Sequence, residues 1–318
     1  MTAESQDGFA LAIPAYNEVE SMIPLFDALR KTWLDHQLGG EILLIDDGST
    51  DGTASAAADA ARNFPVPVRI ERHAENCGKT EAMVTASTAT QQRYIVLFDA
   101  DLQHAPDEIP RFLDKLREGY DVVTGWKQGP YEKRFVSVIY NWLSRKLFRV
   151  PVHDLNSMKA FRRDILDVIP LRHDWHRFFV VLAHDHGYRV AEIPIRLYPR
   201  RFGTSKYSGT GRILAGVLDL LSVKMLTSIL RRPLVFFGTL GIVLGASGFA
   251  VGIVALYFRF GLDQGYRPLL YLVILLLILG VLLFSLGVLA EGIVQVRDRV
   301  EHLERRLLDA DKPPDTEG

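Results

Sequence analysis

Two uninterrupted apolar stretches dominate the second half of the chain: Leu234 to Phe258 and Leu269 to Ala290 contain no charged residue. About 20 apolar residues suffice to cross the hydrocarbon core of a bilayer, so both stretches predict transmembrane helices rather than buried helices of a soluble protein. Their flanks are basic. Lys224, Arg231 and Arg232 precede the first stretch, and Arg297, Arg299, Arg305 and Arg306 follow the second, whereas the short connector holds only Arg259, Asp263 and Arg267. Basic flanks stay on the cytoplasmic side, which places both termini in the cytoplasm and the connector outside, in a cell (inner) membrane protein with two spans. The opening MTAESQDGFALAIP has neither a basic leader nor a long apolar run and does not read as a signal peptide.

The 318 residues therefore divide into four regions: a soluble cytoplasmic domain (1–209), an amphipathic juxtamembrane helix (210–232), the two spans with their connector (233–291), and a charged helix with a disordered tail (292–318). A formal net charge of −1 argues against nucleic acid as a partner. Cys77 is the single cysteine, so no intrachain disulfide forms and a reducing compartment is expected.

Over the first two hundred residues, short apolar runs alternate with helical patterns, the signature of βαβ units and a mainly parallel sheet. Strands are expected at Ala10–Ile13, Glu41–Ile45, Val68–Glu71, Tyr94–Phe98 and Asp121–Thr124, and a later one within 189–198. Helices are expected at Val19–Leu34, Asp51–Arg62, Lys79–Thr90 and Asp107–Glu118, with Asp51 suited to cap the second and Pro106 to open the last. Runs such as EILLI and YIVLF are apolar on both faces, as a sheet covered on both sides requires. Residues 131–149 and 210–230 read as amphipathic helices, the latter lying along the membrane interface.

In open α/β sheets, ligands bind outside the carboxyl ends of the strands. Four polar clusters fall there: IPAYNE (13–18), DDGSTDGT (46–53), NCGKT (76–80) and DADLQH (99–104). In Asp99-Ala100-Asp101 the alternating carboxylates of an extended segment share a face and can point into one site. Mg2+ or Mn2+ takes such oxygen ligands together with substrate phosphates, and Gln103 can add a carbonyl oxygen. A solvated acidic turn with a helix cap is the plainer reading of the same residues. Asp46 and Asp47 can accept hydrogen bonds from a nucleoside, or serve as turn residues before Gly48. Lys79 opens a helix, where a cation and backbone N–H groups together can meet phosphate.

In this order, with D-x4-KAFRR and R-x-x-G-x-S-K-Y further along, the motifs over residues 9–232 resemble glycosyltransferase family 2. They are most similar to its polyprenyl-phosphate branch, which includes dolichyl-phosphate mannose synthases and bacterial undecaprenyl-phosphate sugar transferases. The resemblance implies a GT-A fold, a nucleotide-sugar donor and a polyprenyl phosphate acceptor. It implies that Pro14, Tyr16, Glu18, Ile45 and Asp47 hold the nucleotide, that Asp99, Ala100 and Asp101 contact it too, and that Asp101 and Gln103 ligate the metal. Arg200 and Lys206 match basic residues that close over the diphosphate and acceptor, Arg177 a phosphate-contacting arginine, and Lys133, Arg134 and Ser137 a patch for the acceptor phosphate. One position departs. The family usually has Gly-x-Arg after the fifth strand, and this chain has Gly125-Trp126-Lys127, which keeps the charge but loses the bidentate fork.

A polyprenyl phosphate is already an anionic nucleophile, so positioning and stabilisation of the departing diphosphate outweigh any strong base, and one displacement inverts the anomeric centre. Asp154 is the best further carboxylate for orienting sugar or acceptor. The Q-x-x-R-W motif of processive synthases does not occur, which favours a single transfer. His173, His176, His184 and His186 lack zinc-site spacing, and IPAYNE stands where a dinucleotide-binding oxidoreductase needs G-x-G-x-x-G. A non-enzymatic scaffold needs no acidic metal site; another lipid acceptor is the alternative within the enzyme reading. Finally, Ile293, Val296, Val300, Leu303 and Leu307 follow the 3-4-3-4 spacing of a coiled-coil seam, pointing to a homo-oligomer, although the same stripe can pack on the domain or the membrane.

Overall fold

The computed structural model describes residues 8–128, 148, 150–169, 171–199, 222, 224, 225 and 232–310, with backbone alone at 297, 298, 301, 302 and 304–310. By its internal contacts the chain falls into two compact units, Met1–Leu220 and Leu221–Gly318.

The first unit is built on seven strands: β1 (Phe9–Ala15), β2 (Glu41–Asp46), β3 (Val68–Arg72), β4 (Tyr94–Leu97), β5 (Val122–Gln128), β6 (Lys159–Arg162) and β7 (Val190–Arg196). They form one sheet in the order β3-β2-β1-β4-β6-β5-β7. All ladders are parallel except those of β6, which runs antiparallel to both β4 and β5. Every residue of β4, and Ile42 through Asp46 of β2, is buried, because helices cover both faces. In α1 (Val19–Asp35) the apolar residues Met22, Leu25, Phe26, Leu29 and Trp33 recur at helical spacing and are 0–1% exposed. Then come α2 (Thr53–Ala60), α3 (Lys79–Ala89), α4 (Ile109–Arg117), the single turn α5 (Ile165–Val168) and α6 (Phe179–Asp185). Pro106 starts a 3-10 turn, Pro106–Glu108, that leads into α4.

Every expected strand, and each helix expected between residues 19 and 118, is present. Two details differ from expectation. The strand β6 was not anticipated: with four residues, and Lys159 and Arg162 at its ends, it carries no periodic signal. Gly125, Trp126 and Lys127 lie inside β5, which continues to Gln128 because it pairs along its whole length with β7.

Parallel order carries the carboxyl ends of β1, β2, β4, β5 and β7 to one rim. The antiparallel β6 instead brings its amino end, Lys159, and the preceding loop to that rim, with Lys159 in register with Leu97 and Thr124.

In the second unit a π-helical turn, Leu234–Gly238, leads into α7 (Thr239–Gly261), and α8 runs unbroken from Arg267 to Ala310. Two segments, Leu234–Gly261 and Arg267–Val296, are long and apolar enough to cross a membrane, and only 11% of the most apolar window of each is buried in the protein. The two helices meet through glycine. A Cβ on Gly241 would lie 2.6 Å from the Gly280 carbonyl oxygen, and one on Gly280 would lie 2.8 Å from that of Gly241, so the backbones touch. Ile293 and Val296 at the end of the apolar segment, and Val300 and Leu303 beyond it on the same continuous helix, stand 47–71% exposed.

Candidate active site

A cleft of about 490 Å3 opens at the rim where the carboxyl ends of the strands converge. Its walls bring together Pro14, Tyr16 and Glu18 after β1, Asp47 after β2, Lys79 at the start of α3, and Asp99, Ala100, Asp101 and Gln103 after β4. Lys127 of β5 and Arg177 complete this group, so residues spread over 160 positions of sequence share one cavity. Asn76, His104, Asn156, His176 and Leu197 line it as well.

Much of the DDGSTDGT segment is a latch. The Asn17 amide donates to Ser49 Oγ (2.8 Å), that of Glu18 to Thr53 Oγ1 (2.9 Å) and that of Val19 to Asp51 Oδ2 (3.1 Å). The open N–H groups at the start of α1 are thus satisfied from the next loop. Asp51 also accepts from the Thr53 amide at 3.0 Å, but it stands one residue before the N-cap of α2, which is Gly52 and not Asp51 as expected. Gly48 is required: its φ is +75°, and a Cβ there would fall 2.6 Å from the Glu75 carbonyl carbon.

Asp47 is similarly committed. Its Oδ1 accepts from the Cys77 amide (2.9 Å) and pairs with His73 Nδ1 (2.7 Å), while Oδ2 accepts from the Gly78 amide (2.8 Å). The carboxylate ties the second polar loop to the third and holds the start of α3 in place. Asp47, His73 and Cys77 lie close enough to suggest a metal cluster. Their atoms are already spoken for, because His73 Nε2 also pairs with Thr85 Oγ1 at 2.9 Å. The Cys77 thiol is pushed up by desolvation and by Asp47, Glu75 and Glu81, away from the thiolate a soft metal needs.

The DAD segment fits a hard cation better. Asp99 is half-buried and ion-paired with the Lys79 ammonium. Burial alone would raise its carboxyl, but Lys79, His104 and His176 hold it well below the usual carboxylate range. Asp101 Oδ1 accepts from the Gln103 amide at 3.2 Å. The Tyr198 amide donates to the Gln103 carbonyl at 2.8 Å, pinning the chain after β7 to this turn. Between the two stands Leu102, with φ +56°, a conformation a branched side chain adopts only where its surroundings impose it. Two carboxylates and an amide on one wall form a hard-oxygen donor set.

Beneath one part of the cleft wall the charges are layered. Lys127 Nζ donates to the Asn156 carbonyl (2.5 Å) and lies 3.4 Å from Asp154 Oδ2. Asp154 is buried and does not line the cleft; it acts on it through Lys127. Ile45 is likewise wholly buried in β2 and absent from the lining. His104 is 4% exposed, and its Nδ1 has no hydrogen-bond partner among the described residues. Burial, together with Lys127 and Lys79, pushes it down to about 4 against the pull of Asp99 and Asp154, so the ring is neutral at neutral pH.

Lys159, the lysine of the D-x4-KAFRR motif, had no role of its own assigned from the sequence. It is 1% exposed, and its ammonium donates to the carbonyls of Leu155 (3.3 Å) and His176 (3.0 Å). Burial first, then Lys79 and Lys127, pushes it down to about 7, with Asp99 and Asp154 opposing. In the sequence its signal is a lysine between the apolar residues Met158 and Ala160, within D-x4-KAFRR. Lys133, Arg134, Ser137, Arg200 and Lys206 lie outside the described residues, as does nearly all of the amphipathic segments 131–149 and 210–230.

Comparison with known proteins yields a consistent set. Residues 10–180 match the family model described as Glycosyl transferase family 2. The chain is 32% identical over 296 residues to the dodecaprenyl-phosphate galacturonate synthase of Rhizobium johnstonii, covering 90% of this chain and 87% of that protein. It is 30% identical over 329 residues to the undecaprenyl-phosphate 4-deoxy-4-formamido-L-arabinose transferase of Salmonella choleraesuis, covering 97% and 96%. Among solved structures it superposes on glucosyl-3-phosphoglycerate synthase from Mycobacterium tuberculosis, in complex with Mn2+, UDP and glucosyl-3-phosphoglycerate. The TM-score is 0.54 at 19% identity, over 69% of this chain and 79% of that one, a likeness of fold.

Proposed function

The chain belongs to glycosyltransferase family 2 and is an enzyme, and from that premise we propose that it transfers one sugar, with inversion, from a UDP- or GDP-linked donor to a polyprenyl phosphate. The product is a polyprenyl-phosphate sugar. The observation that carries this reading is the single cleft in which Asp99, Asp101 and Gln103 face Lys79, Lys127 and Arg177. Oxygen donors and cations gathered in one cleft would suit a diphosphate leaving group together with a divalent metal. The Rhizobium and Salmonella relatives, a dodecaprenyl-phosphate synthase and an undecaprenyl-phosphate transferase, support the acceptor class.

Asp101 and Gln103, with Asp99, would hold Mg2+ or Mn2+, which supplies positive charge for the departing diphosphate. Pro14, Tyr16 and Glu18 bind the nucleoside. Asp47 contributes by fixing the loops that surround it. Lys79, at the amino end of α3, and Arg177 meet the phosphates. Lys127, held by Asp154, orients the sugar. Arg200 and Lys206 close over the diphosphate, and Lys133, Arg134 and Ser137 receive the acceptor phosphate. That phosphate attacks the anomeric carbon as the bond to the nucleotide diphosphate breaks, and its own charge removes the need for a proton acceptor. The two spans set the enzyme in the inner membrane with the catalytic unit and both termini cytoplasmic, beside its lipid acceptor, as a homo-oligomer.

The test is product analysis. Purified full-length protein with Mn2+, undecaprenyl phosphate and a panel of labelled UDP- and GDP-sugars should give one lipid-linked product with inverted anomeric configuration. Absence of any lipid-linked product across the panel would refute the proposal.

A further inference from the structure

Lys159 sits below the cleft, not in it, and among the described residues no carboxylate neutralises it by contact. Burying an ammonium is costly unless it is hydrogen-bonded, and here its recorded partners are two main-chain carbonyls, Leu155 and His176. Both belong to segments that feed the cleft wall. Leu155 lies between Asp154, which holds Lys127, and Asn156, which lines the cavity. His176 precedes Arg177, whose Nε is buried with no hydrogen-bond partner among the described residues although the side chain lines the cleft. A buried guanidinium donor left open beside a cleft is available to an anion bound there.

His176 is fixed from a second side. Its amide donates to Thr80 Oγ1 at 3.1 Å, and its ring Nδ1 lies 3.1 Å from the same oxygen. Thr80 follows Lys79 in α3, so the main chain before Arg177 is clamped between α3 and β6. Topology explains why β6 can do this. Its antiparallel insertion between β4 and β5 delivers its first residue to the rim, in register with Leu97, two residues before Asp99.

We infer that Lys159 is a positioning residue for the transfer step: by tying the His176 carbonyl to the Leu155 carbonyl from beneath, it sets Arg177 and the Asp154–Asn156 segment at their working separation across the cleft. The inference rests on the glycosyl-transfer reading above. A displacement of about 1 Å in such a group can cost 100-fold in rate, which makes a buried strut catalytically visible without touching substrate.

The experiment is a double-mutant cycle on the full-length protein: wild type, Lys159→Met, Arg177→Ala and the double variant. Methionine keeps most of the side-chain volume and removes the ammonium. Turnover at saturating donor, KM for the donor and thermal unfolding are measured for each. Lys159→Met should lower turnover at least tenfold, and in the Arg177→Ala background the further loss should be under about threefold, since residues acting through one another are not additive. A merely structural role would give the same fold-loss in both backgrounds, and that result overturns the inference while leaving the transferase assignment intact. A wild-type protein with no transfer activity would overturn both. If Lys159→Met does not fold, Lys159→Gln, which keeps an amide donor for one carbonyl, carries the same cycle and the same criteria.

Discussion

Asp47 separates two roles that the family pattern merges, and Asp47→Asn tests which one this structure supports. The carboxylate accepts backbone hydrogen bonds at 2.9 Å from Cys77 and 2.8 Å from Gly78, one on each oxygen, and pairs with His73 at 2.7 Å. It is 5% exposed. An asparagine offers one carbonyl oxygen and one NH2 in the same space, so one of the two backbone donors must face another donor. Losing a hydrogen bond to a charged group costs roughly 1.5–3 kcal/mol, and an orphaned buried N–H adds about 1–3 more. Water entering from the cleft relieves part of that, so we expect a loss of about 2–4 kcal/mol. For a unit of this size each kcal/mol lowers the melting point by about 2–4 °C, giving a drop of roughly 5–15 °C. The assay is thermal unfolding in detergent, with and without saturating UDP and Mn2+. If Asp47→Asn melts with the wild type but no longer responds to nucleotide, the latch reasoning is wrong and the side chain is a simple ligand contact.

Three further outcomes are expected. Asp101→Asn keeps the oxygen that accepts from the Gln103 amide and should fold normally, yet lose transfer by 100-fold or more, since several kcal/mol of metal-borne stabilisation go with the charge; near-normal turnover would remove Asp101 from the metal site. His176 is held neutral by burial, aided by Lys79, Lys159 and Arg177 against Asp99. Its folded pKa is depressed below the unfolded value of 6.5, so the unfolded state binds the extra proton and stability should fall as pH drops through about 6.5. Melting points across that range should show a flatter acid limb in His176→Gln. Truncation after Glu291 removes the exposed stripe Ile293, Val296, Val300 and Leu303 and should reduce the oligomer seen by light scattering. A monomeric full-length protein would dismiss the seam, and an unchanged oligomer would move the contact elsewhere.

The spans, the alternating sheet and the four loop clusters were legible in the sequence because each is a local pattern. A charge-free apolar run, an all-apolar strand or a carboxylate pair at alternate positions needs no knowledge of distant residues. Parallel topology then obliges the loops after β1, β2 and β4 to share a rim, so the cleft followed from order alone. What tertiary structure decided is how each polar group is used. The cluster DDGSTDGT offers several side-chain oxygens, and only the approach of α1 shows Ser49, Thr53 and Asp51 taken up by its open amides. Asp47 finds its partners 30 and 31 residues away, and Asp154 meets the cleft only through Lys127. The strand β6 is too short to announce itself by periodicity. It exists because β4 and β5 leave a gap between them, and filling that gap buries Lys159, whose ammonium reaches the His176 carbonyl 17 residues further along. A hydrogen bond depends on distance in space, and a sequence records only distance along the chain.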